Sequence, residues 1–216
     1  MPDNKRIFTI ENGSRELSLV RQENGKVVNS VIHTLTRDSE NERQRITQTG
    51  LLDMSLRFNP DLIVVGEMRG SEAYAALEAA LTGIGVLTTI HATSCDAAYR
   101  RMVALCKRAV DMSDETLMAY VTEAYPLVAF CKQLENKQRR IMEIMECEIL
   151  PDGTRNFRPL FRYHVVENRM EQGKFIITGE HGSVQPISES LQRRLLENGM
   201  PQTTLSRILS MGGEAA

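Results

Sequence analysis

Two short apolar runs, Leu62 to Val65 and Val86 to Ile90, each end in reactive polar groups, and a helical stripe separates them. The first breaks at Gly66 and delivers Glu67 and Arg69; the second delivers His91, then Thr93 and Ser94. Between them Ser71 is placed to cap a helix with Glu72 in its first turn. Ala73, Ala76, Leu77, Ala80 and Leu81 recur at helical spacing, and Gly83 ends the stripe. Strand, helix and strand predict a parallel βαβ unit, buried on both faces.

Ile7 to Ile10 and Leu17 to Val20 read as short strands, with Asn24-Gly25 as a turn after the second. The polar run Arg37 to Arg45 reads as a solvated loop or a helix start, and Ile46 to Phe58 as a helix that Pro60 terminates. After His91, Thr93 or Ser94 caps a helix from about Asp96 to Arg108. Ser113 starts another, with Leu117, Tyr120, Val121 and Ala124 on one face.

From Leu127 the period changes to that of strands. Leu127 to Gln133, Arg140 to Leu150 and Phe157 to Val166 predict an antiparallel meander, with Pro151-Asp152-Gly153 turning between the last two. The polar stretch Glu167 to Ile187 reads as a linker. Ser188 to Ser210 reads as two short helices around Gly199, Met200 and Pro201, and Gly212 to Ala216 as a disordered tail. The expected division is thus a main domain over 1–166, a linker over 167–187 and a helical tail over 188–216.

Composition narrows the class. The chain has 216 residues, 42% of them hydrophobic and 25% charged, enough to bury a sizeable core. The 26 basic and 28 acidic residues nearly cancel, so direct nucleic-acid binding is not expected. No apolar run approaches the roughly 20 residues needed to span a bilayer, and no signal-peptide core opens the sequence. Cys95, Cys106, Cys131 and Cys147 form no C-x-x-C pair, which predicts reduced thiols in a cytoplasmic protein.

The candidate chemistry lies at strand ends. In an open parallel sheet the carboxyl ends of the strands line the ligand crevice. A carboxylate just beyond such a strand, as Glu67 is, suits a metal–phosphate centre, and Gly66 lets backbone approach the ligand. A solvated glutamate at an ordinary strand end fits the same pattern. His91, with Thr88, Thr89, Thr93 and Ser94, would gather hydroxyls and an imidazole fit to bond a γ-phosphate, or would be a structural histidine. Glu11 and Glu16 flank a turn near Ile7 to Ile10; if that strand is parallel to the others, Glu11 joins the same edge, and by pattern alone both read as exposed turn acids. Arg57 and Arg69 have the guanidinium geometry for phosphate, or would form surface salt bridges. A phosphate loop, G-x-x-x-x-G-K-[ST], is missing: Gly25-Lys26 and Gly173-Lys174 lack both the upstream glycine and the following hydroxyl residue.

Together these segments resemble the type II/type IV secretion and pilus-assembly ATPases, the CpaF-like branch most of all. RIFTIENGSREL is similar to that family's acidic box, LLDMSLRFNPDLIVVGEMRGSEA to its Walker B segment, and LTTIHATS to its histidine box. AYPLVAFCKQLENKQRRIMEIMECE and the strand through Phe161 are similar to its closing strands, and Leu191 to Leu209 to its helical tail. The resemblance implies the C-terminal part of a RecA-like P-loop α/β core and Mg²⁺·ATP hydrolysis in a homohexameric ring. It places the ring at the cytoplasmic face of the inner membrane, beside secretion or pilus platform proteins. It implies Glu67 as the Walker B acid that binds Mg²⁺ and activates water, Glu11 as the acidic-box carboxylate and His91 as a phosphate sensor. Arg57, Arg69 and Glu16 would contact nucleotide. Two positions depart from the family: Asn12 follows Glu11 where Glu-Asp is usual, and Thr82-Gly83-Ile84 replaces Thr-Gly-His. With the Walker A loop missing, this chain by itself is expected to be inactive and to need a partner chain or an upstream segment.

Overall fold

A computed structural model describes residues 4–211. The tail expected to be disordered, 212–216, lies outside them. The chain divides into two compact units, the residues to His91 with Tyr99–Ala124, and Ala92–Ala98 with the residues from Tyr125 onward.

The first unit holds β1 (Arg6–Glu11), the small ribbon β2 (Gln22–Glu23) and β3 (Lys26–Val27), then β4 (Ser30–Leu35), α1 (Gln48–Leu56), β5 (Leu62–Val65), α2 (Glu72–Leu81) and β6 (Gly85–Thr88). It also takes α3 (Cys95–Cys106) from Tyr99 on and the whole of α4 (Asp114–Ala124). The main sheet has the order β4-β1-β5-β6, with every pair parallel. Thr9 therefore pairs with His33 and Val64, and Val65 with Ile10 and Thr88. All the strands end at one edge.

Burial follows from that topology. Phe8, Ile10, Ile63 and Val65 lose nearly all contact with solvent, and each such side chain contributes roughly 1.5–3 kcal/mol. Ala73, Ala76 and Leu77 of α2, and Leu117 and Val121 of α4, complete the core. The stripe expected on α2 is rotated at its end, where Ala79 is buried and Leu81 is not.

Two local expectations change. Leu17 to Val20 is not a strand. The backbone N–H groups of Glu16 and Leu17 are taken by the Glu11 carboxylate rather than by a ladder. The strand beside β1 is β4, whose polar residues Ser30, His33 and Thr34 hid its period.

The second unit is an antiparallel sheet of order β10-β9-β8-β7, built from β7 (Leu127–Gln133), β8 (Arg139–Ile149), β9 (Arg155–Glu171) and β10 (Lys174–Ser183). Thus 167–187 is not a linker. Gln172 (φ 50°) and Gly173 (φ 74°) make a tight turn that folds Lys174–Ser183 back on β9. Its polar composition reflects exposure on a sheet, not disorder. The meander, the turn at 151–153 and the two final helices, α5 (Glu189–Glu197) and α6 (Gln202–Met211), follow the sequence reading. Ile187, Leu191 and Leu205 form their small core, and Ser188 caps α5. The buried Glu146 carboxylate accepts from the Ser188 N–H and hydroxyl, tying the helices to β8.

Candidate functional site

Because the main sheet is all parallel, Glu11 at the end of β1, Glu67 just past β5 and His91 just past β6 lie along one edge. The Glu67 turn is tied from four sides. Gln48 Nε2 donates to the Glu67 carbonyl (3.0 Å), the Thr89 hydroxyl to the Gly66 carbonyl (2.7 Å) and Arg108 Nη1 to the Arg69 carbonyl (2.9 Å). The Met68 N–H donates to the Thr89 carbonyl (3.0 Å). Ser71 does not cap α2 with its side chain; Glu72 instead reaches back, its Oε1 accepting from the N–H groups of Arg69 (2.6 Å) and Gly70 (2.7 Å).

Glu67 keeps 26% of its side chain exposed. Arg69 Nη2 lies 2.5 Å from its Oε2, and His91 Nε2 lies 2.9 Å from its Oε1. The His91 approach is an ion-pair distance only, since Oε1 has no hydrogen-bond partner among the described residues. The Arg69 hydrogen bond chiefly, helped by the charges of Arg69 and His91, holds the Glu67 carboxyl below its ordinary value against the effect of burial. Arg69 and His91 are themselves open to solvent, with 68% and 85% of their side chains exposed.

Glu11 is only 3% exposed. Its Oε1 accepts from the N–H groups of Glu16 (2.6 Å) and Leu17 (2.8 Å), while its Oε2 is buried with no partner among the described residues. A Cβ at Gly66 would lie 3.6 Å from Glu11 Cγ, which sets Glu11 directly beside the residue preceding Glu67.

The structure thus brings together Glu67, Arg69 and His91, with Glu11 adjacent. Glu16 joins through its backbone, and its carboxylate is exposed. Arg57 does not join: it ends α1 next to Phe58, whose carbonyl accepts from Arg6 at the opposite edge of the sheet. Ser94 is spent on the N-terminus of α3, accepting from the Ala97 N–H. Gln48, Glu72 and Arg108 were missed as site residues. Glu72 in a helix's first turn was a visible signal; Gln48 and Arg108 act on carbonyls 19 and 39 residues away, which no local pattern marks.

Two carboxylates, each with an oxygen left over, fit a hard divalent cation. Mg²⁺ in nucleotide sites takes one or two carboxylates and completes its shell with water and phosphate oxygens. Among the described residues no group of three or more His, Cys, Asp or Glu is placed to hold a metal alone. No helix among them is long and apolar enough to cross a membrane.

The Type II/IV secretion system protein family matches residues 1–209. The type IV secretion system protein PtlH of Bordetella pertussis is 30% identical over 157 residues, covering 70% of this chain and 44% of that protein. Competence protein ComGA of Streptococcus pneumoniae is 46% identical over 66 residues, 30% of this chain and 21% of the relative. Among solved structures, the VirB11 ATPase of the Brucella suis type IV secretion system shares the fold, with a TM-score of 0.55 and 24% identity over 68% of this chain and 41% of that one. The chain spans less than half the length of each of these proteins.

Proposed function

This chain belongs to the type II/IV secretion system protein family, and on that premise we propose that it is the C-terminal part of a motor ATPase driving secretion, pilus assembly or conjugative transfer. The supporting observation is Glu67. It is a carboxylate at the carboxyl edge of a parallel sheet, held ionised by Arg69, with one oxygen unpartnered and a second buried carboxylate alongside.

Glu67 would hold Mg²⁺ through Oε1, the ion supplying charge neutralisation at the phosphates when bound. Glu11, one oxygen fastened by two backbone N–H groups, would aim the other at the attacking water. His91 Nε2 and the Arg69 guanidinium, both solvent-open within reach of Glu67, would donate to the terminal phosphate. Arg57 can serve only a nucleotide elsewhere, such as one held by a neighbouring subunit. The phosphate-gripping loop would come from an upstream segment or a partner chain. The core is of the RecA-like P-loop class, and its setting a cytoplasmic homohexamer at the inner face of the cell membrane, docked on platform proteins.

A second reading is a non-catalytic assembly subunit of the same complex. Glu67→Gln in the full-length polypeptide separates the two. A loss of at least ~100-fold in Mg·ATP hydrolysis with loss of transport supports the motor. Transport unchanged by that substitution favours the assembly subunit.

A further inference from the structure

His33 takes no part in the proposed chemistry, yet it stands beside Glu11. It lies in β4 in register with Thr9, so its side chain shares a sheet face with Thr9 and, two residues further along β1, with Glu11. His33 Nδ1 is 2.9 Å from the Thr9 hydroxyl. The other ring nitrogen, Nε2, is buried and has no hydrogen-bond partner among the described residues. Glu11 Oε2 on the same face is likewise buried and unpartnered.

These orphans are complementary. A buried polar atom left unbonded costs roughly 1–3 kcal/mol, and such atoms are routinely satisfied through ordered water. If the Thr9 hydroxyl donates to Nδ1, the imidazole must carry its proton on Nε2, which then needs an acceptor. The charged groups bearing on His33 are Arg15 and Glu11. Burial first, then Arg15, lower its affinity for a second proton, and Glu11 opposes them, so the ring stays neutral at pH 7 with one proton to place.

We propose that His33 is a positioning residue for Glu11: Thr9 fixes its tautomer, and Nε2–H holds Glu11 Oε2 through one bridging water. Glu11 would then be oriented at both oxygens, one by the Glu16 and Leu17 backbone and the other by the Thr9–His33 pair. What this orientation serves rests on the proposed role of Glu11 in activating water. The hydrogen-bond chain itself does not.

Long-range ¹H–¹⁵N spectra of the purified chain at pH 7 test it. The expected result is the Nε2–H tautomer for His33, with a slowly exchanging Nε2 proton whose resonance moves in Glu11→Gln. Thr9→Val should admit the Nδ1–H tautomer. His33→Leu should speed amide exchange at Glu16 and Leu17 roughly tenfold, whereas His33→Gln, which keeps a donor, should not. A wild-type Nδ1–H tautomer, or an Nε2 proton indifferent to Glu11→Gln, overturns the proposal. Because the readout is spectroscopic, it stands or falls whether or not the full-length protein hydrolyses ATP.

Discussion

Arg69 Nη2 sits 2.5 Å from Glu67 Oε2, and the two residues are separated by a single, buried methionine in a turn fastened by hydrogen bonds to Gln48, Glu72, Thr89 and Arg108. The pair is therefore set by the backbone of the turn rather than by the reach of two long side chains. Its consequence is electrostatic, keeping Glu67 charged.

Because the folded Glu67 carboxyl lies below 4.5, its ordinary value, its contribution to stability is complete above that pH. It is lost only as pH falls through the lower, folded value. Carbon-detected titration of the Glu67 carboxyl should give a midpoint under 4.5, moving up in Arg69→Ala. The melting temperature at pH 7 should barely respond, since Arg69 is largely exposed.

Glu11→Ala should be costly. It strips the acceptor from two backbone N–H groups, an expected loss of about 1–3 kcal/mol measurable by urea unfolding. Glu11→Gln retains a carbonyl oxygen for them and should lose distinctly less.

Glu72 fastens the turn before α2, its carboxylate accepting from the Arg69 and Gly70 N–H groups, while Ser71 makes no side-chain cap. Glu72→Ala leaves those two N–H groups without their acceptor and should cost about 1–3 kcal/mol, whereas Ser71→Ala should be close to neutral. Amide exchange at Arg69 and Gly70 should rise in the first variant alone.

The thiols should react unequally. Cys131 is exposed, while Cys95, Cys106 and Cys147 are buried. Burial pushes the Cys95 thiol up to about 12 and Cys106 up to about 11. One thiol per folded chain should titrate quickly with an aromatic disulfide at pH 8, and the rest only on unfolding. With their ordinary value at 9.0, the raised thiols keep protons that the unfolded chain releases, so stability should fall as pH rises above about 9.

Gly179 has no room for a side chain. A Cβ there would come within 2.6 Å of the Tyr163 hydroxyl oxygen, at a point where the register between β9 and β10 shifts. Gly179→Ala should destabilise the second unit by about 1–3 kcal/mol, seen as a lower midpoint in chemical unfolding.

Glu67 and His91 were legible because each follows an apolar strand run, and strand ends fall at one edge wherever the pairing is parallel. The two C-terminal helices were legible from Ser188, Gly199 and Pro201, which punctuate them. β4 was not, because a strand with Ser30, His33 and Thr34 on it shows no apolar alternation. β10 was not, because only Ile177 among its residues is buried and its polar composition looks like linker.

By itself the sequence determined the local elements that repeat with a period, the acids and the histidine beyond the strands, and the resemblance they carry. Only the tertiary structure decided the neighbours. It set β4 beside β1 and hence His33 beside Thr9, sent Arg57 to the far edge, and fastened the Glu67 turn with Gln48 and Arg108. Periodicity reports which face of an element is buried; hydrogen bonds between distant segments depend on the register and order of strands, which a one-dimensional pattern does not contain.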